Sequence, residues 1–223
     1  MQTKSERTRR RLVHAGAEMF DRNGYAQATL GQIAASAGMT KGALYFHFAS
    51  KDGLADAVQE RGRALLCDFV QDRRERGAAS MQALIDLTHW LARTLHKDPV
   101  VRASLRITHE CVGRRPPVDD FQQAWITEVV RLLGQARVAG ELRDDPSGEG
   151  AEALLSATVC GIGVLAVTAI SYAELGRRVG VLWEQLLTAL VPPGDAGRYR
   201  TYVSAAGSDA SDGLHTGAGA DAA

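Results

Sequence analysis

The sequence predicts an all-α protein of about nine helices, a three-helix head followed by a larger helical body. Three observations predict it. Apolar residues recur at helical spacing through almost the whole chain, capping residues precede the apolar runs, and no segment shows the two-residue alternation of a strand. At 223 residues and 45% hydrophobic, the chain can bury a sizeable core and is too apolar to be disordered throughout.

In the first segment Leu12, Gly16, Met19 and Phe20 share one helical face, which predicts a helix from about Lys4 to Arg22, ended by Asn23-Gly24. Thr29 then reads as an N-cap and Gln32 completes a capping box for a short helix over Leu30–Ala37. Gly38 breaks it, and Thr40 caps another short helix running to about Phe46. That helix is too short to fold alone, so Leu44, Phe46 and Phe48 are expected to anchor it. Ser50-Lys51-Asp52 opens a long helix with a buried stripe of Leu54, Val58, Leu65 and Phe69. Ser80 opens a helix that stops before Asp98-Pro99, and another runs from Pro99 towards Cys111. Gly113-Arg114-Arg115-Pro116-Pro117 reads as a linker. Asp119 to Ala139 is helical and ended by Gly140, and Pro146-Ser147 leads into two last helices that stop at Pro192-Pro193. The expected organisation is a head over 1–50, a body over 51–193 and a disordered tail over 194–223. From Ser204 onward all residues but Leu214 and His215 are Gly, Ala, Ser, Asp or Thr, a composition that cannot bury a core.

The 26 basic and 26 acidic side chains give a net charge of zero, and this average hides a split. Residues 1–51 carry eight basic and three acidic groups, so the head is cationic and the remainder acidic. A basic head on an acidic body is the footprint of a polyanion binder. Ala153 to Ala173 has no charged residue and is long enough to span a bilayer. Ser156, Thr158, Gly161, Gly163, Thr168 and Ser171 interrupt it, so it reads as a helix buried between the core and a partner subunit, with no membrane span. Cys67, Cys111 and Cys160 lie far apart and form no disulfide framework, and the N-terminus lacks an apolar signal segment. A reducing cytoplasm is the expected location.

Two short helices joined by a tight turn at Gly38 match the helix-turn-helix plan, whose second helix enters the major groove of DNA. Its N-terminal end then faces the duplex. Lys41 is the candidate base reader and Gly42 allows close backbone approach, while Thr29 and Thr40 offer hydroxyls to phosphates or serve only as caps. Tyr45 offers a phenol to phosphate or is a half-buried aromatic, and Lys51 stands at the start of the fourth helix as a phosphate contact or a solvated charge.

The run Thr29-Leu-Gly-Gln-Ile-Ala-Ala-Ser-Ala-Gly-Met-Thr-Lys-Gly-Ala-Leu-Tyr-Phe-His-Phe-Ala-Ser-Lys51 resembles the DNA-binding head of TetR-family repressors, over about residues 5–55. The resemblance implies an Ω-shaped homodimer with a three-helix head and a helical ligand-binding body. It implies DNA contacts at Thr29, Thr40, Lys41, Gly42, Tyr45, His47 and Lys51; His47 reads otherwise as a packing or solvated histidine. The partner is then double-stranded operator DNA.

In the body, Trp125, Val129 and Leu132 share a helical face, and a tryptophan there is either a core residue or a flat apolar wall with one N–H donor. Tyr45-Phe-His-Phe48, Val100-Val-Arg-Ala-Ser-Leu-Arg106, Trp125 and Gly140-Glu-Leu142 together resemble the γ-butyrolactone autoregulator receptors of Streptomyces. That resemblance implies a small hydrophobic signal bound against Trp125, with Thr158 as hydrogen-bonding partner, and control of antibiotic or other secondary-metabolite genes. Helical facing adds Leu84, Thr88, Val129 and Ile162 to the expected pocket. Gly62 departs from the glutamine common in those receptors, so a pseudo-receptor answering to an antibiotic or biosynthetic intermediate stays open. The dimer seam is expected on the last two helices, with Gly161 and Gly163 allowing close approach and Leu182, Trp183, Leu186 and Leu190 supplying apolar area. No cofactor and no enzymatic activity are expected: His109-Glu110-Cys111 is the densest reactive cluster but lacks the HExxH spacing. A metal sensor using Cys111 with His89, His96 or His109 is the remaining alternative.

Overall fold

The computed structural model describes residues 3–111, 120–143, 149–166 and 171–202. Among them are nine α-helices, one 3₁₀ turn and no strand. The linker at 113–117, Pro146-Ser147 and the tail from Ser204 lie outside the described residues.

The head contains α1 (Lys4–Gln27), α2 (Leu30–Ser36) and α3 (Lys41–His47). Thr3 and Glu6 form a capping box at the start of α1. Gly24 interrupts α1 with φ 81° and ψ 160°, a backbone that favours glycine, and one further turn follows. The predicted stop at Asn23-Gly24 is therefore a kink, and the helix resumes beyond it. The Thr29–Gln32 capping box of α2 is present, with the Thr29 side chain accepting from the Gln32 amide. Gly38 makes the turn at φ 65°, and the Arg11 guanidinium donates to the Ala37 carbonyl at 2.9 Å, holding α2 against α1.

Leu12, Phe20, Ile33 and Leu44 are fully buried in the head. The same core takes in Leu54 and Val58 from α4 (Lys51–Glu75) and Val100, Ala103 and Ile107 from α6 (Pro99–Glu110). A boundary at residue 50 thus divides the elements but not the packing. One anchor is corrected: Leu44 and Phe48 point inward, whereas Phe46 is 82% exposed. Residues 44 and 48 lie one turn apart, and residue 46 falls on the opposite side of that turn.

The body packs α5 (Ser80–Lys97), α7 (Phe121–Val138), α8 (Glu149–Ala166) and α9 (Tyr172–Leu190) around Met81, Leu84, Leu87, Phe121, Trp125 and Trp183. Asp98 with Pro99, Asp120 and Ser171 start α6, α7 and α9 as side-chain caps. Helix α5 has no cap of its own. Its Ser80 and Met81 amides donate to the Glu141 carboxylate, at 3.1 and 2.9 Å, from beyond the end of α7. Along α4, Leu54 and Val58 are buried as expected, but lower down the buried position is Leu66, with Leu65 and Phe69 half-buried. No helix among the described residues is long and apolar enough to cross a membrane.

The expected tail is corrected over residues 194–202. A 3₁₀ turn at Ala196–Arg198 returns the chain to the body. There the Gln82 side chain pairs with the Arg200 backbone through two hydrogen bonds, and buried His89 meets the Thr201 carbonyl at 2.8 Å. Pro192-Pro193 ends α9 without ending the fold, because half-buried Gln82 and buried His89 of α5 pair with the extended backbone that follows.

Candidate functional site

At the head, the start of α3 is open to solvent. Thr40 caps it by accepting from the Ala43 amide at 3.2 Å, which uses only a lone pair of the hydroxyl. Lys41 is exposed and its stem crosses Gly31, where a Cβ would stand 2.7 Å from the lysine Cε. Gly42 is open, since a Cβ there would meet nothing closer than Thr40 Oγ1 at 3.9 Å. Tyr45 is 55% exposed, and His47 is half-buried with its ring edge-on to Phe46. Thr40, Lys41, Gly42, Tyr45 and Phe46 are therefore all exposed along one short helix and its cap. Thr29 lies at the start of α2, where its hydroxyl also donates to Gln32 Oε1 at 2.8 Å.

Lys51 does something else. Its ammonium donates to the carbonyls of Tyr25, Ala26 and Ala28, at 2.9, 3.2 and 3.1 Å, and lies over the Tyr25 ring. All three donors are engaged by the turn between α1 and α2. The expected phosphate contact is corrected to an internal clamp, because carbonyls left open beyond the Gly24 kink need a donor.

In the body, a cavity of about 760 Å³ opens between α5, α6, α7 and α8. Leu91, Leu95, Leu105, Phe121, Trp125 and Ile126 form its apolar wall, and Cys160, Gly163 and Val164 bound it on α8. The wall towards the head carries Asp21, Arg102, Arg106, His109 and Glu110. Trp125 is 2% exposed and stacks on Trp90, which stacks on Phe69 of α4. Its indole Nε1 is buried and has no hydrogen-bond partner. A buried donor left unmatched costs about 1–3 kcal/mol.

The other expected pocket residues are placed differently. Leu84, Val129 and Ile162 belong to the body core and not to the cavity wall. The Thr88 hydroxyl accepts from Trp183 Nε1 at 2.6 Å and donates to the Ile85 carbonyl, so it is fully engaged. Thr158 is half-buried, off the wall, and donates to Leu154 of its own helix. Position 62 has no room for a side chain: a Cβ on Gly62 would lie 2.6 Å from Ser104 Oγ and 3.2 Å from the Phe121 ring. Beside it, buried Gln59 joins α4 to Ser104, Thr108 and the Phe121 amide.

The residues expected at the seam are divided between the chain's own core and its surface. Trp183, Leu186 and Leu190 are buried within the chain's own core and offer almost no area to a partner, and Leu182 is half-buried against that core. Gly163 lines the cavity near Leu105, while Gly161 faces open space. The exposed apolar groups on these helices are Leu154, Val164 and Val181. Helical period alone placed Leu186 and Leu190 on one face correctly; which face turns inward depends on α5.

Sequence reasoning missed Phe46 as an exposed aromatic and missed Asp21, Arg102, Arg106 and Glu110 as one group. The first was legible in the spacing of Leu44 and Phe48. The second had no local signal, since Asp21 and Arg102 are far apart in sequence. His109, Glu110 and Cys111 do not act together: Glu110 binds Arg106 and the Ala26 amide, and among the described residues no three His, Cys, Asp or Glu side chains are grouped to hold a metal ion.

An exposed, capped recognition helix on a basic head, joined to a body with a partly open cavity that is apolar on one side, defines a helix-turn-helix regulator. The chain belongs to the tetR family of bacterial regulatory proteins: residues 12–58 match that family's N-terminal model, and residues 78–192 match the tetracyclin repressor-like C-terminal domain. It is 30% identical over 195 residues to the A-factor receptor protein of Streptomyces griseus, covering 86% of this chain and 67% of that one. Among solved structures it resembles a γ-butyrolactone receptor described as ArpA-like, with TM-score 0.74, 34% identity and coverage of 89% of this chain and 95% of that one. It is equally similar to CprB from Streptomyces coelicolor bound to its operator sequence, with TM-score 0.75, 34% identity and coverage of 89% and 96%. The family and these relatives are transcriptional regulators.

Proposed function

We propose that this chain is a ligand-released repressor that works in the cytoplasm as a homodimer on palindromic operator DNA. Each α3 enters a major groove, with half-sites about 34–36 Å apart. Lys41 reads bases, Gly42 admits the backbone, and Thr40, Tyr45, His47 and the Thr29 helix start face phosphates. A small, mostly apolar molecule such as a γ-butyrolactone occupies the body cavity and favours a state in which the two heads no longer match the operator. Reversing the populations almost completely needs about a 10⁴-fold preference of the ligand for that state.

The observation that carries this reading is the cavity: apolar on one side, floored by Trp125, whose N–H is unmatched, and bounded on the other side by Asp21 of the head and the charged residues of α6. A ligand carbonyl that reaches that N–H as the side chains covering it shift would satisfy the buried donor. The reading of this chain as a pseudo-receptor rests on Gly62, where Ser104 and Phe121 fill the space of a glutamine and leave the polar contacts to Trp125 and the charged wall.

The test is selection of sheared genomic DNA on the purified protein, with elution by salt or by solvent extract of the source culture. Enriched palindromic fragments released by extract support the reading. Trp125→Phe keeps the ring against Trp90 and removes the N–H, so the expected result is unchanged operator binding with release only at higher ligand concentration. A Trp125→Phe protein released at the wild-type concentration removes Trp125 Nε1 from ligand recognition.

A further inference from the structure

The wall of the cavity nearest the head also holds the head in place. Arg102 on α6 donates through Nε to Asp21 Oδ2 on α1 at 2.8 Å, and through Nη1 to the Leu95 and His96 carbonyls at the end of α5. One turn later Arg106 donates to the Asp21 carbonyl at 2.6 Å and, through Nε, to Glu110 at 2.7 Å. Glu110 in turn accepts from the Ala26 amide at 3.3 Å, just past the Gly24 kink. Glycine is favoured there by its φ of 81°, and a Cβ would also displace the side-chain ends of Glu110 and Arg106, which it would approach to 2.6 and 2.8 Å. From the other side Lys51 grips the carbonyls of the same turn. The kinked end of α1 is thus clamped by a carboxylate on its amides and by cations on its carbonyls.

Asp21, Arg102, Arg106 and Glu110 all line the cavity that Trp125 floors. The Asp21–Arg102 pair is partly shielded, with side chains 20% and 27% exposed, so a competing acceptor meets it in a medium less screening than water.

We infer that Asp21 and Arg102 form a ligand-opened latch between the cavity and the DNA-binding head: an occupant whose carbonyl or carboxylate oxygen reaches Arg102 competes with Asp21 and frees the end of α1. Asp21 and Arg102 are positioning residues, acting on DNA only through the orientation of the head. This route is direct, since one wall of the cavity is a head residue, and it needs no swing of α4. A loosened head loses operator affinity because two half-sites must then order it on binding. The inference rests on the ligand-release reading above, and its test separates the two.

The test uses the full chain, the operator fragment recovered by selection, and two probes matched in carbon number, γ-decalactone for a carbonyl and sodium decanoate for a carboxylate. Asp21→Asn keeps the shape and removes the charge that competes for Arg102. The expected result is a folded dimer with operator affinity lowered about tenfold in the absence of any probe, and probe binding, followed by tryptophan fluorescence, tightened several-fold. Asp21→Glu should restore most of the operator affinity. Arg102→Lys supplies the measurement if Asp21→Asn fails to fold: operator affinity should fall by a smaller factor, and probe binding should weaken because the guanidinium that the probe oxygen reaches is gone. Folded variants that bind operator as tightly as wild type, or more tightly, overturn the latch, while release of the wild-type protein by a probe still supports the reading of the cavity. A folded Asp21→Asn protein with lowered operator affinity but unchanged probe affinity also overturns the latch, because a purely structural contact would do the same. Failure of both probes on the wild type counts against the cavity reading and the latch together. Tightening for decanoate only assigns the Arg102 end to a carboxylate, and for the lactone only to a carbonyl.

Discussion

The head and the body solve the same problem in opposite ways. In the head, backbone groups left open at helix ends find partners a few residues away or on the adjoining helix: Thr29 with Gln32, Thr40 with Ala43, Arg11 with Ala37 and Lys51 with the turn at 25–28. The body leaves the buried Trp125 Nε1 without a hydrogen-bond partner beside a partly open cavity. A part that must fit a fixed duplex is held rigid. A part that must respond keeps an incompletely satisfied site, and the two meet at Asp21, Arg102, Arg106 and Glu110.

The largest way to break this comparison is Leu44→Ala. Leu44 is fully buried and is the main tie between α3 and the head core, so the substitution should cost about 2–5 kcal/mol and abolish operator binding. Denaturant unfolding with gel-shift binding checks it; a variant that still binds operator at wild-type affinity would show that α3 is ordered by DNA and not by the core. Next comes Lys51→Met, which leaves three carbonyls without their donor and should cost about 1.5–3 kcal/mol, the range for hydrogen bonds to a charged group. If Lys51 were instead a phosphate contact, stability would hold while the salt dependence of binding fell by about one phosphate's share, about 0.9 in the log–log slope.

A smaller effect sharpens the body side. Burial holds His89 below its ordinary value of 6.5, and the Thr201 carbonyl and Asp86 only partly offset that. The unfolded chain therefore binds a proton more readily than the folded one just below pH 6.5. The His89 contribution is complete above that pH and declines as pH falls towards the lowered folded value. Thermal midpoints of wild type should drop more between pH 7.5 and 5.5 than those of His89→Gln, and equal drops would remove His89 from the pH response. The smallest stability effect is expected for Phe46→Ala, within about 0.5 kcal/mol, because the ring is 82% exposed. Any loss of operator affinity in that variant then reports contact with DNA.

Much of the head was legible in sequence because its signals are local. Capping boxes, Gly38 and the apolar spacing of Leu12, Gly16 and Phe20 each act within a few residues, and α2 and α3 start where Thr29 and Thr40 stand. The cavity was legible only at Trp125. Thr88, Leu84, Val129 and Ile162 share helical faces that the sequence could mark as apolar, yet whether an apolar face meets a neighbour or an empty space is decided by the neighbour. The same reason moved Trp183, Leu186 and Leu190 from a seam into the core, and residues 194–202 from a tail onto α5.

The sequence by itself determined the helices, their caps, the helix-turn-helix and the basic head, since periodicity and capping are properties of short stretches of chain. Tertiary structure alone decided that Lys51 turns inward and that Gly62 has no space beside it. It alone brought Asp21 to Arg102 on one wall of the cavity, because contacts between distant residues depend on how packed helices close around one another.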